Sequence, residues 1–392
     1  MKIKNARFAG AALLMLPMAS TLGCSGDEST STSTGASTGT TSSSSSSSSS
    51  GSGGGGGMGD PLANAVKAND WVKLTAGPSV SAGKQDDIFF TDAKTGFVAS
   101  GPNTAIFGTV DGGATWSNLF THTGTFFRSV LFVDSKHGFA GNIGAGLSPS
   151  ISDATLIYET KDGGASWAPS TNITGAMAKG LCNFTEVDAT HIVGVGRANG
   201  PADLLVSNDS GATWTATDLA TWLGMAIDAH FTSPTEGIVA GMDPTFSHCS
   251  IIQTTDGGAT FKEVFKSKTS GSLCWKFDFP SAKVGYATVQ DSANGPPTFA
   301  KTLDGGTTWM ELPLPLLTPA TKGYNAIGVG FISENIGWMS AESPTLPTYR
   351  TFDGGMTWEV DPALKSPINR FRFVDAHTAY AVGGSVWKLV LP

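Results

Sequence analysis

Six aspartates recur along this sequence at intervals of 47 to 51 residues, each in a short motif of the same kind. The motif reads Ser/Thr-x-Asp-x-Gly-x-Thr/Ser and ends in an aromatic residue. Such a carboxylate could act as an acid or a base in hydrolysis, but a catalytic acid is expected once in a chain and not once per repeat. The repetition therefore favours a structural role. The aspartates and their aromatic residues are Asp111, Asp162, Asp209, Asp256, Asp304 and Asp353, with Trp116, Trp167, Trp214, Phe261, Trp309 and Trp358.

The motif is best explained as a tight turn between two strands. Its glycines tolerate a positive φ at little steric cost, and the carboxylate can accept backbone N–H bonds across the turn. Apolar residues precede several copies, for example at 156–158 and 204–206, as in a strand that enters a hairpin. A repeat of this length predicts a solenoid, an array or a propeller.

The motif resembles the Asp box, or BNR repeat, of sialidase-like propellers. Ser210 replaces the usual glycine in one copy, and Phe261 replaces tryptophan in another. Sialidases use three arginines, a tyrosine nucleophile paired with a glutamate, and an acidic aspartate. Beyond the N-terminal signal, this chain has five tyrosines and the arginines Arg128, Arg197, Arg350, Arg370 and Arg372. The sialidase signature Phe-Arg-Ile-Pro is missing, so the sequence disfavours an enzyme; it suggests neither a metal site nor a cofactor.

A second repeat lies between the motifs: a phenylalanine, several polar residues, then glycine, an aromatic or apolar residue and a small residue. It occurs seven times, with Glu186 at the phenylalanine position of one diverged copy. The chain ends in three strands without a motif, and the segment 70–74 resembles the strand that follows a motif. We therefore predict an all-β chain, a single seven-bladed β-propeller of four-stranded antiparallel blades. The N-terminal strand would complete the last blade and remove two open sheet edges. Six- and eight-bladed rings are the competing counts.

The N-terminus has the pattern of an export signal, with three basic residues and an apolar run over 8–18. Leu22 to Ser25 resembles a bacterial lipobox, which implies lipid attachment at Cys24, although Thr21 stands where leucine is usual. The alternative is an ordinary secretory signal. Residues 25–69 are mostly serine, threonine and glycine and predict a disordered tether, so the propeller would span 70–392. We expect a lipid-anchored protein of the bacterial envelope, periplasmic or on the outer surface, and a secreted one if Cys24 is not lipidated.

The charge of the chain bears on its partners. Without residues 1–23 it has 21 basic and 32 acidic residues, a net charge of −11. An acidic protein of this kind has no electrostatic reason to bind nucleic acid or anionic lipid, so membrane contact is expected only through the anchor.

Three further cysteines allow one disulfide in an exported protein. In the blade scheme, Cys249 and Cys274 fall on the face opposite the aspartate motifs, and this pairing is favoured. Cys182 falls on the same face and is the rival partner.

The innermost strands bring polar residues towards the central channel. Two pairs from adjacent blades follow, Asp228 with Lys276 and Asp87 with Arg370 or Arg372. They can be salt bridges that hold the ring together. The alternative is a polar pocket at the channel mouth for a peptide or glycan, lined by Arg370, Arg372, His230 and Trp275.

The alternation of Phe-x-Asp, Gly-aromatic and the aspartate motif resembles the photosystem II assembly and stability factor family over residues 70–392. That resemblance implies a non-catalytic propeller that binds and stabilises another protein during assembly of a membrane complex. A protein-binding or scaffolding propeller is our prediction. The alternative is a sialidase-like glycoside hydrolase or a glycan-binding propeller.

Overall fold

Seven small sheets surround a central axis, which makes this chain an all-β, seven-bladed propeller. A computed structural model describes residues 60–80, 83–291, 297–314 and 324–392. The predicted fold class and blade count are confirmed, and the six- and eight-bladed alternatives are excluded. Cys24, the signal segment and residues 25–59 of the tether lie outside the described residues.

Each blade is a meander that begins at the axis and ends at the rim. Blade 1 contains β2 to β5, blade 2 β6 to β9, blade 3 β10 to β14, blade 4 β15 to β18, blade 5 β19 to β22, blade 6 β23 to β26, and blade 7 β27 to β29 with β1. The elements are α1 (Pro61–Ala68), β1 (Val72–Lys73), β2 (Asp87–Phe90), β3 (Gly96–Ser100), β4 (Ala105–Thr109), β5 (Ser117–Thr121), β6 (Phe127–Phe132), β7 (Gly138–Asn142), β8 (Ile157–Thr160), β9 (Ala168–Pro169), β10 (Ile173–Gly175), β11 (Asn183–Glu186), β12 (Ile192–Gly196), β13 (Asp203–Ser207), β14 (Trp214–Asp218), β15 (Met225–Phe231), β16 (Gly237–Met242), β17 (Cys249–Thr254), β18 (Lys262–Lys266), β19 (Ser272–Asp278), β20 (Gly285–Asp291), β21 (Thr298–Thr302), β22 (Met310–Pro313), β23 (Ala326–Phe331), β24 (Gly337–Ala341), β25 (Pro347–Thr351), β26 (Glu359–Lys365), β27 (Ile368–Phe373), β28 (Thr378–Gly383) and β29 (Val386–Val390).

The second repeat has a packing reason. In blade 2, the ring of Phe132 lies over Gly138 of the neighbouring strand, where a Cβ would collide with it. The same ring stacks on Phe97 of blade 1, with centroids 3.8 Å apart. Phe331 likewise stacks on Tyr286 of the preceding blade, at 3.6 Å. The phenylalanine and the aromatic residue therefore join one blade to the next, because stacked rings bury much apolar surface.

The ring closes between the two ends of the propeller. β1 pairs antiparallel with β29, with Val72 opposite Lys388 and Lys73 opposite Trp387. Trp71 is 3% exposed and lies against Trp338, with ring centroids 5.5 Å apart. The predicted closure by the N-terminal strand is thereby confirmed.

Two details of the predicted organisation need correction. Blade 3 has five strands, because β10 adds to its outer edge in parallel with β14. Residues 61–68, assigned to the disordered tether, form α1. Asp60 caps its N-terminus, where the Asp60 carboxylate accepts the N–H of Leu62 at 2.9 Å. Val66 is 1% exposed in the cluster of Trp71 and Trp338. So short a helix depends on such packing. Within the described ranges, no helix is both long and apolar enough to cross a membrane.

The six aspartate motifs form turns of one construction, here called the aspartate turns. In the first, Asp111 accepts the N–H of Thr115 at 2.9 Å and its hydroxyl at 2.6 Å. The Thr109 hydroxyl donates to Asp111 at 2.8 Å and accepts the N–H of Gly113 at 3.0 Å. The same bonds to the carboxylate recur in the other five turns. The Thr115 hydroxyl, followed by the other donors, lowers the pKa of Asp111 to about 2. Each carboxylate is thus ionised and occupied by its own turn, which suits a joint better than a proton donor.

The aspartate turns share one face of the ring, here called the turn face. Gly112 donates its N–H to Lys94 O at 2.8 Å, in the loop between the first and second strands of blade 1. Ser210 takes φ of 57° in place of the usual glycine, and its hydroxyl donates to Ala189 O at 2.7 Å. First strands therefore end at the turn face and begin at the opposite face.

Candidate functional site

The first strands carry an irregular step at one common level. In five blades, the pairing of the first strand with the second shifts by one residue there. In blade 1, Asp86 and Asp87 share Ala99 as their partner. A bulge of this kind re-aims a side chain, and it adds a further layer of residues to the channel. From the opposite face, the first layer is Asp86, Arg128, Cys182, Ile227, Trp275, Ile327 and Asn369; the second is Asp87, Ser129, Asn183, Asp228, Lys276, Gly328 and Arg370; the third is Phe89, Leu131, Thr185, His230, Asp278, Gly330 and Arg372.

The first layer is apolar on one side and charged on the other. Cys182, Ile227, Trp275 and Ile327 belong to one buried cluster. Arg128 lies 3.2 Å from the carboxylate of Asp86, across the boundary between blades 1 and 2. These contacts close the channel below the opposite face.

The second layer links neighbouring blades through its side chains. Arg370 lies 3.5 Å from the Asp87 carboxylate, which also accepts the N–H of Val130 at 3.0 Å. The Asn183 amide donates to Asp228 at 2.6 Å, and the other Asp228 oxygen accepts the N–H of Phe277 at 2.9 Å. The carboxylates of this layer thus bond to neighbouring blades, both at Asp87, where the ring closes, and at Asp228, away from the closure.

Lys276 does not make the contact that was predicted for it in this layer. Its ammonium finds no hydrogen-bond acceptor among the residues that the structure describes, so the expected Asp228–Lys276 salt bridge is wrong as a direct contact. The Asp228 carboxylate accepts amide and backbone donors, including the N–H of Ala229 at 3.0 Å. The Lys276 ammonium lies over the ring of Trp275, 5.4 Å from its centroid.

The third layer faces the turn side of the channel. Arg372 donates to Ile88 O at 3.1 Å and lies 4.8 Å from the ring centroid of Phe89. His230 stacks on Phe279 with centroids 4.0 Å apart. Burial raises the pKa of Glu186 to about 7, against the opposing effect of the positive charge of Arg372. A half-buried carboxyl group at this mouth therefore titrates near neutral pH.

The four residues predicted to line one ligand pocket fall into three layers. Trp275 lies in the first layer and Arg370 in the second, whereas His230 and Arg372 lie in the third. They are 4%, 2%, 8% and 9% exposed. The prediction of a shared open pocket is therefore corrected: the structure packs these side chains between blades. The other prediction for these residues, a salt bridge between blades, agrees with the contact of Arg370 with Asp87.

Cys249 and Cys274 form a disulfide, with Cα atoms 4.6 Å apart. The bond joins blade 4 to blade 5 near the opposite face. Cys182, the rival partner, lies in the first layer, where its sulfur accepts the N–H of Ala198 at 3.3 Å.

A groove opens on the opposite face beside the closure, between blades 6 and 7 and the N-terminal segment. We call it the seam groove. Its volume is about 430 Å³, and its walls are Lys73, Val80, Gly83, Lys84, Glu342, Pro344, Lys365, Ser366, Pro367, Gly384, Ser385 and Trp387. Lys73 and Lys365 are exposed, and Trp387 is half-buried. Two exposed lysines, Lys73 and Lys365, against one glutamate give this groove a positive charge in an acidic protein.

Lys84 connects the groove with the channel. Its ammonium lies 3.4 Å from the carboxylate of Asp86 and 5.5 Å from the ring centroid of Trp275. Burial lowers the pKa of Lys84 to about 8, although Asp86 opposes this effect.

The five tyrosines take part in hydrogen bonding and packing between strands. Four hydroxyls donate to other groups: Tyr158 to Asp153, Tyr286 to Glu334 O, Tyr324 to Met339 O and Tyr380 to Gly112 O. Tyr349 packs against Tyr324, with centroids 5.6 Å apart. Burial raises the pKa of each of these tyrosines, which is the reverse of nucleophile activation. In the described part of the chain, no group of three or more His, Cys, Asp or Glu residues could hold a metal ion.

Comparisons with known proteins identify the fold. No protein-family model matches this chain, and no curated protein sequence matches it. Among solved structures, "YCF48 bound to D1 peptide" is 18% identical, with 83% of this chain and 97% of that chain covered and a TM-score of 0.58. YCF48 from Cyanidioschyzon merolae is 16% identical, with coverage of 82% and 99% and a TM-score of 0.58. The GH74 xyloglucanase from Xanthomonas campestris is 12% identical, with coverage of 82% and 53% and a TM-score of 0.58. At these identities the likeness establishes the propeller fold, which binding proteins and enzymes share.

Proposed function

We propose that this protein is a non-catalytic propeller that binds an acidic segment of a protein partner in the seam groove. The observation that carries the proposal is the charge of that groove. The exposed lysines Lys73 and Lys365 border it with a single glutamate, Glu342, whereas the whole chain has a net charge of −8. A positive groove on a negative protein selects for a negative ligand and repels other acidic surfaces.

The walls of the groove suit an extended peptide. A volume of about 430 Å³ lies in the range of small-molecule and side-chain pockets. Trp387 offers a half-buried aromatic surface, and Pro344 and Pro367 are rigid neighbours. Tryptophan is one of the residue types enriched among strong contacts of protein interfaces. Lysines would orient the acidic side chains while Trp387 takes an apolar one.

Two further points support a protein partner. YCF48, a solved propeller of similar fold, is bound to a D1 peptide, so a chain of this shape can present a peptide site. The alternation of Phe-x-Asp, Gly-aromatic and aspartate turn leads to the same family. We extend the proposal to a role in the assembly of a membrane complex, in which the propeller holds one component.

The N-terminal residues complete the proposal. A lipid on Cys24 would hold the protein at the bacterial envelope, and the Ser/Gly-rich segment would let the propeller reach its partner. Labelling with a radioactive fatty acid tests this part, because a Cys24→Ser variant should lose the label and be released.

Selection from a random peptide library displayed on phage tests the groove. The full chain should enrich peptides with several aspartates or glutamates and an apolar residue. The affinity for the enriched peptides should fall at least about tenfold in the double variant Lys73→Glu/Lys365→Glu. It should fall by a similar factor in the single variant Trp387→Ala.

The matched control is Lys94→Glu with Lys161→Glu, which makes the same charge change on exposed lysines of the turn face. It should leave peptide binding unchanged. Enriched peptides without acidic residues, or equal losses in the control, would contradict the proposal.

A further inference from the structure

The buried charges around the channel are not matched one to one. Lys84, Arg128, Lys276 and Arg370 face the carboxylates of Asp86, Asp87 and Asp228, and each of the seven is no more than 2% exposed. Four cations against three carboxylates leave one positive charge in excess. Burial of an uncompensated charge is costly, so proteins pair such groups or neutralise them.

Among these four cations, Lys276 is the one whose ammonium forms no ion pair and has no hydrogen-bond acceptor within the described residues. Asp86 serves both Lys84, at 3.4 Å, and Arg128, at 3.2 Å. Arg370 has Asp87 at 3.5 Å. Lys276 is 1% exposed, and its Nζ finds no acceptor within the described ranges.

The surroundings of Lys276 are positive on several sides. Burial, followed by the positive charge of Arg370, holds the pKa of Lys276 well below its usual range, and Lys84 and Arg128 act in the same direction. Asp228 acts against them but accepts its hydrogen bonds from other donors. The field at Lys276 therefore attracts an anion.

Lys276 lies in a closely packed part of the channel. The apolar cluster of the first layer, with Ile227, Trp275 and Ile327, covers it towards the opposite face. In the next blade the second-layer residue is Gly328, where even a Cβ would collide with Ile368 O. The first strands of blades 6 and 7 are therefore close together, which leaves no room for a bulky group.

We propose that Lys276 binds a monovalent anion of the halide class in the channel. The anion accepts a hydrogen bond from the Lys276 ammonium, is attracted by Arg370, and offsets the excess positive charge of the cluster formed by Lys84 and the first two layers. It stabilises the folded ring because the unfolded chain has no such site. Lys84 borders both this cluster and the seam groove, but Lys276 does not line the groove, so tests at Lys276 hold or fail independently of the proposed function.

Bromide is the direct probe, because its anomalous scattering locates it. Crystals of the full chain grown or soaked in sodium bromide should show one buried anomalous peak within hydrogen-bonding distance of Lys276 Nζ. Bromide found only at the surface, or none at all, would overturn the proposal.

Thermal unfolding measures how much the bound anion stabilises the folded protein in solution. Replacing sodium gluconate by sodium chloride at about 0.2 M should raise the Tm of the wild-type protein by roughly 2–4 °C. Lys276→Met should abolish this response, whereas Lys262→Met, which removes an exposed lysine, should retain it. An equal chloride response in both variants would contradict the site. If Lys276→Met does not fold, the bromide crystals of the wild-type protein decide.

Discussion

Lys73 of the first strand lies opposite Trp387 of the last strand, so the two ends of the propeller form one blade. Trp71, next to this strand, is buried against Trp338 and Phe371 with centroids 5.5 and 5.8 Å away. The closure therefore combines a short strand pairing with a large aromatic contact. The aromatic contact should provide most of its stability, because β1 has only two residues.

Trp71→Ala should lower the free energy of unfolding by about 3–5 kcal/mol, as expected for a buried aromatic side chain replaced by alanine. Urea unfolding followed by fluorescence measures it. Val72→Ala is the matched control, since Val72 is 61% exposed and should change stability by less than about 0.5 kcal/mol. Equal effects of the two substitutions would show that the closure does not depend on Trp71.

The disulfide between Cys249 and Cys274 closes a separation of 25 residues in the sequence. Its loss should cost about 3–4 kcal/mol through the entropy of the unfolded chain. Cys249→Ala, Cys274→Ala and the double variant should be destabilised by similar amounts, because each removes the same bond. Additive losses in urea unfolding would mean that the thiols contribute separately and that the bond is absent.

Substitution of Arg372 distinguishes a role in packing between blades from a role in ligand binding. Arg372→Ala removes the bond to Ile88 O and the contact with Phe89, so the free energy of unfolding should fall by about 1–3 kcal/mol. Binding of acidic peptides should not change, because Arg372 lies in the third layer, away from the seam groove. Weaker peptide binding with an unchanged Tm would reverse this assignment and return Arg372 to the ligand site.

Glu186 should make stability depend on pH. Its pKa rises from 4.5 to about 7 on folding, so the folded protein binds this proton more tightly than the unfolded chain between these values. Stability contributed by the protonated group is present at low pH and is lost as the pH rises through about 7. Glu186→Gln should therefore show a smaller fall in Tm between pH 5 and pH 8 than the wild-type protein.

Glu236→Gln removes an exposed carboxyl group and should follow the wild-type pH profile. If Glu186→Gln also follows it, burial does not perturb the Glu186 carboxyl group.

The ring could be predicted from the sequence because each blade repeats the same local chemistry. The Asp111 turn and the stacking of Phe132 on Gly138 depend on residues close in the chain or at fixed intervals, so their spacing reveals them. The unmatched strand at 70–74 gave the closure for the same reason. Helix α1 escaped prediction because its eight residues depend on packing against Trp338, although Asp60 and Pro61 form a recognisable helix start.

The channel and the groove were harder to predict. Strict alternation along a strand places Asp87 in the channel and Asp86 in the blade, but the bulge brings both carboxylates into the channel. Arg128 was missed for this reason. The seam groove unites Lys73, Lys365 and Trp387 from distant parts of the chain, and no local pattern marks their meeting.

A charge-swap titration tests the acidic ligand of the seam groove most directly. Calorimetry would compare a selected acidic peptide and its lysine-substituted counterpart, each against the wild-type chain and the Lys73→Glu with Lys365→Glu variant. The wild-type chain should bind only the acidic peptide, and the variant should prefer the basic one by at least about tenfold. If both chains bind the acidic peptide equally, the groove is not its site.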